Sequence, residues 1–111
     1  MTLAHFILLQ FQQPGFEVLW PVAVLLFDPA TGKIHVKGRA DYSGIADPDD
    51  AIVLAETVKQ LEVEAAREDG AATLDLLESS LSNSVRITER TAVRVTDFEA
   101  ALDHLSKALL S

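Results

Sequence analysis

Three arginines recur every four residues: Arg86, Arg90 and Arg94. If residues 85–95 form one strand, side chains four positions apart leave the same face. A row of guanidinium forks grips a carboxylate or a phosphate through paired N–H donors. The row is the candidate ligand site, and an anionic metabolite held by a small enzyme or sensor is the ligand it fits. The competing reading is that the arginines pair with the chain's own glutamates or solvate an open face.

The other reactive side chains are scattered. His5 falls in an apolar stretch, His35 on a polar strand face and His104 in the last helix. None has a second histidine or a carboxylate at the i, i+4 spacing a helical metal site needs. Asp103 adjoins His104, but neighbours on a helix do not face one another. Asp47, Asp49 and Asp50 lack the turn glycine and distal glutamate of a calcium loop, and they suit a helix start. Gly38-Arg39-Ala40-Asp41-Tyr42-Ser43-Gly44 lacks the lysine and the strand–loop–helix order of a phosphate loop. The serines have no base at any recognised spacing, and there is no cysteine. No catalytic residue, cofactor or metal is expected, and an enzyme is the less favoured class.

Trp20-Pro21 points elsewhere. Tryptophan is enriched among interface anchors, and Pro21 cannot donate to a strand ladder. Trp20 and Pro21 are therefore candidate interface residues at a sheet edge. Burial of Trp20 in the chain's own core is the alternative.

These residues hang on elements with clear local signals. Residues 3–11 and 16–27 are apolar runs that read as strands covered on two faces. Pro21 places a kink, with the ordered strand at about 22–28. Asp28-Pro29-Ala30-Thr31-Gly32 is a hairpin loop, with glycine supplying positive φ. Lys33-Ile34-His35-Val36-Lys37 alternates, with Ile34 and Val36 inward and the other three toward water. Residues 38–46 read as loop. Asp47-Pro48-Asp49-Asp50 starts a helix over 48–69, with Ala51, Leu54, Ala55, Val58, Leu61 and Ala65 on one stripe and Val63 off it. A shorter helix is expected over 72–81.

Residues 85–95 alternate, with Val85, Ile87, Thr91, Val93 and Val95 on one face. Glu89 breaks the pattern and suggests a turn or bulge, so the segment is one bent strand or two short ones. Thr96-Asp97-Phe98-Glu99 is a capping box before a helix over 97–109, with Phe98, Ala101, Leu102, Leu105 and Leu109 inward. The order predicts an α+β fold, with a mostly antiparallel sheet and about three helices on one face.

A chain of 111 residues fits a single domain, 1–111, and a domain of that size buries roughly two-thirds of its unfolded surface. The hydrophobic fraction of 49% argues against disorder and leaves apolar surface for a partner. Net charge is −8. Residues 1–46 carry three acids and three bases, so the acidic surplus belongs to the remainder. Such a chain repels phosphate backbones, which disfavours nucleic acid. No apolar run is long enough to span a bilayer as a helix. Absence of cysteine suits a reducing compartment, and Met1-Thr2-Leu3-Ala4-His5-Phe6 has no cationic secretory start. A cytoplasmic location is the expectation. The favoured class is a non-catalytic binding or assembly module acting as a homo-oligomer or with a partner protein.

The run from Phe16-Glu17 through Trp20-Pro21-Val22-Ala23-Val24 to Asp28, with the later Leu81-Ser82-Asn83-Ser84-Val85-Arg86-Ile87-Thr88-Glu89-Arg90, resembles a family of small bacterial proteins of unknown function. That family has a glutamate before an Asn-Val-Gly-Val-type strand and a later Ser-Asn-x-Ile-Arg-Leu-Thr-Glu segment. Trp20 and Val22 stand where the family has Asn and Gly. Its members neighbour kinase-like proteins of toxin–antitoxin type. The resemblance implies a bacterial cytosolic accessory protein and supplies no catalytic residues.

Overall fold

The structure is a computed structural model, and it describes residues 2–12, 15, 17–65, 85–88 and 90–110. The described chain is α+β. Its strands are β1 (Thr2–Gln12), β2 (Leu19–Asp28), β3 (Lys33–Gly38), β4 (Val85–Ile87) and β5 (Thr91–Val95). Its helices are α1 (Pro48–Ala65) and α2 (Phe98–Leu109). All pairings are antiparallel. The sheet runs β3-β2-β1, and β4 and β5 both pair along the far side of β1.

The β2–β3 hairpin follows from its loop chemistry. Gly32 has φ +73, the left-handed region that glycine enters at no steric cost. Its N–H donates to the Asp28 carbonyl at 2.8 Å. The buried Asp28 carboxylate accepts from the Ala30 N–H and the Thr31 hydroxyl, each at 2.9 Å. At the start of α1, Asp47 accepts from the Asp50 N–H at 2.9 Å and so caps the helix, with Asp49 and Asp50 in its first turn. The expected helix over 48–69 is described to Ala65. The expected helix over 72–81 lies outside the described residues, so two of the about three anticipated helices are described.

The two helices do not share a face of the sheet, contrary to expectation. Ile7, Leu9, Ala23, Leu25, Phe27 and Ile34 form one buried cluster with Leu54 and Val58 of α1. The opposite pleat carries Val24 and Leu26, which are fully buried yet lie outside that cluster. There α2 covers the sheet. Phe98 stacks on the His35 ring at 4.7 Å, and Asp103 accepts from Lys37 Nζ at 2.8 Å. The face of β3 expected to meet water is thus the seat of a helix. An unalternating apolar run such as Val22–Phe27 demands cover on both sides, and a layer on each face meets that demand.

Asp97 caps α2, accepting from the N–H groups of Glu99 and Ala100. This moves the helix start one residue past the Thr96 box. Leu109, expected inward, is turned outward, and Leu110 is buried instead.

Asp103 also accepts an ion pair from Lys107 at 3.0 Å. The bond from Lys37, followed by that from Lys107, lowers its pKa below the ordinary carboxylate value. A folded pKa below the unfolded one contributes stability above the unfolded value, roughly 3.9, and that contribution is lost as pH falls through the folded value. Asp103→Asn should therefore lower the melting temperature slightly at neutral pH. The gap to wild type should close on acidification, and a gap that stayed constant down to low pH would contradict the pairing.

Candidate functional site

Strand β2 outruns β3. The last β3 residue, Gly38, lies opposite Ala23, so Leu19, Trp20 and Pro21 have β1 on one side and no described strand on the other. Between Leu9 and Gln10 the register against β2 shifts from Ala23 to Pro21. That leaves Val22 as the extra residue of a β-bulge. The proline signal for broken pairing holds, although the strand continues through it to Leu19. Because the neighbouring strand stops short, Val18, Leu19 and Trp20 are 51%, 39% and 37% exposed.

The chain after β3 is bonded back to this overrun. Arg39 N–H donates to the Val22 carbonyl at 3.0 Å, and its guanidinium donates to the Pro21 carbonyl at 3.2 Å. Asp41 then closes a turn by accepting from the Ser43 N–H at 2.9 Å and the Ser43 hydroxyl at 3.0 Å. Those bonds, chiefly the backbone one, hold the Asp41 carboxyl below its usual pKa. The Tyr42 carbonyl accepts from the N–H groups of Ile45 and Ala46, both at 3.1 Å. Burial pushes the Tyr42 phenol up, with the Glu62 charge adding to the shift.

The result is an open groove of about 410 Å³ between the β2 overrun and the loop into α1. Val18 and Trp20 form one wall, and Ser43 to Asp47 form the other. The volume lies toward the small end of ligand-sized pockets, roughly 300–1,000 Å³. Among the described residues that line it there is no histidine or cysteine, and Asp47 is the one ionisable side chain. A wall of valine, tryptophan, isoleucine and alanine with no nucleophile–base pair fits contact better than reaction. The first wall was legible in Trp20-Pro21. The second was not, because it depends on the bonds from Arg39 to a strand distant in sequence.

The arginine row is not assembled as the spacing suggested. Arg86 lies opposite Gln10 and Arg94 opposite Leu3. Positions 10 and 3 on β1 have opposite parity, so the two arginines leave opposite faces of the sheet. The cause is one extra residue in the edge strand: Leu9 pairs with Ile87 and Phe6 with Thr91, so three positions separate Ile87 from Thr91 where two separate Phe6 from Leu9. Thr88 bridges the irregularity. Its N–H donates to the Leu8 carbonyl at 3.0 Å, and its hydroxyl accepts from the Leu8 N–H at 2.9 Å. The same insertion splits the alternating valines, putting Val85 and Ile87 against the α1-side core. Arg90 lies between the two strands and is exposed.

The histidines stand apart. His5 meets Phe27 edge-on at 6.1 Å, His35 stacks on Phe98 and His104 is exposed on α2. No group of three or more potential metal ligands converges among the described residues. No described helix is long and apolar enough to cross a membrane. No family model, curated protein or solved structure matches the chain. What the fold and the site define is an α+β domain that presents an apolar groove at the free end of a central strand.

Proposed function

We propose that this chain is a non-catalytic binding or assembly module. Its working surface is the end of β2, with Trp20 and Pro21 at the centre of a contact with a second copy or a partner protein. The observation that carries the reading is the exposure of three consecutive apolar side chains, Val18, Leu19 and Trp20, beside a groove that Trp20 itself lines. Water-exposed tryptophan in a well-shaped concavity is the usual make-up of an interface anchor. The scattered histidines and the separated Arg86 and Arg94 give the alternative, an enzyme or sensor for an anionic metabolite, less to stand on. A chain without cysteine and without a described membrane-spanning helix supports a cytoplasmic setting.

Size-exclusion chromatography with light scattering, run beside acrylamide quenching of Trp20 fluorescence, tests the proposal. A wild-type dimer that Trp20→Ala dissolves supports the self-associating form. A wild-type monomer with a quenchable tryptophan supports the form that waits for a partner. A monomer whose tryptophan is shielded from acrylamide would overturn the reading, because the chain itself would then cover Trp20.

A further inference from the structure

The groove has a charge as well as a shape. Its apolar wall of Val18, Trp20, Ile45 and Ala46 ends at Asp47. Asp49 and Asp50 follow in the first turn of α1, Glu17 precedes Val18, and Asp41 closes the turn before Ser43. The Arg39 guanidinium is bonded to the Pro21 carbonyl and stands beside Asp41. Asp47 thus lines the apolar slot itself, Asp49 and Asp50 continue from it in the first turn of α1, and Glu17 adjoins the lining residue Val18 in sequence. The acids sense one another: desolvation raises the Asp50 pKa, and the charges on Asp47 and Asp49 raise it further.

Resting on the binding-module reading, we propose that the Trp20 groove receives an apolar side chain carried on a lysine- or arginine-containing segment of a partner protein. A second copy fits less well. The chain has a net charge of −8, and a two-fold contact at this end would bring two acidic rims together. A basic segment instead places cations over Asp47, Asp49 and Asp50 while its apolar residue covers Trp20. Complementary charge at a rim speeds association and selects partners, and the buried anchor supplies most of the affinity.

Trp20 is the chain's one tryptophan, so its emission reports the groove directly. The test uses the full chain and three short dye-labelled peptides: a leucine flanked by lysines, the same leucine flanked by glutamates, and a glycine flanked by lysines. Binding is read from Trp20 emission and from peptide anisotropy. The lysine–leucine peptide is expected to shift the emission to the blue and to bind at least about tenfold more tightly than either control. Its affinity should fall as salt is raised. Trp20→Ala should abolish the anisotropy change. Asp47→Asn, which keeps the capping oxygen, combined with Asp49→Asn, should weaken binding several-fold without changing the fold's circular dichroism. Equal binding of the glutamate peptide would overturn the basic partner and leave the groove as a contact site. A Trp20-dependent dimer that ignores all three peptides would overturn it too, in favour of self-association. A shielded tryptophan, with no peptide binding and no dimer, would remove both this proposal and the reading beneath it.

Discussion

Leu25→Ala and Leu26→Ala should each destabilise the domain by about 2–5 kcal/mol in denaturant titrations. The two leucines are adjacent in sequence and fully buried, yet they belong to different layers. Leu25 lies in the cluster with Leu54 and Val58 of α1. Leu26 pairs with Phe6 and His35 across the sheet, on the face where His35 stacks on Phe98 of α2. Comparable losses at both positions are the signature of a sheet covered on both faces. If one truncation cost less than about 1 kcal/mol, that face would be open and the layer order wrong.

Gly38→Ala should be the costliest change of comparable size outside the strand centres. A Cβ at Gly38 would run into Val58 Cγ1 and lie 2.9 Å from the Tyr42 hydroxyl. Valine is stiff about χ1, so Val58 cannot swing aside freely, and overpacking of this kind costs about 1–3 kcal/mol. The same contact fixes the groove. Tyr42 anchors the loop through Ile45 and Ala46, so a displaced Tyr42 should also move the Trp20 emission. Shortening the obstruction tests the cause. In a Val58→Ala background, Gly38→Ala should cost less than in wild type, a coupling of about 0.5–3 kcal/mol. Strict additivity would show that Val58 is not what Gly38 makes room for.

The elements that local chemistry dictates were legible in the residues. Asp28 through Gly32 announced a hairpin, Asp47-Pro48 a helix start, and Pro21 a break in pairing. Each depends on neighbours a few positions away. The layer order was not legible, because the polar face of β3 looks bound for water until α2 arrives. Lys37 meets Asp103 across 66 positions of sequence. The arginine spacing misled for a related reason. Thr88-Glu89-Arg90 was readable as an irregularity. That it inverts the faces of Arg86 and Arg94 shows only in the register against β1. Trp20 was legible as an anchor candidate, and its exposure follows from a length comparison between β2 and β3 that local patterns do not contain.

The difference between a tryptophan held for a partner and one that fills the chain's own core is measurable in one step, by equilibrium denaturation of Trp20→Ala beside wild type. With Trp20 37% exposed at the free end of β2, the expected loss is below about 2 kcal/mol, with the denaturant slope unchanged. A loss of about 3–5 kcal/mol, the range of a fully packed core tryptophan, would place Trp20 in the fold's interior and contradict the role of the groove as a binding surface.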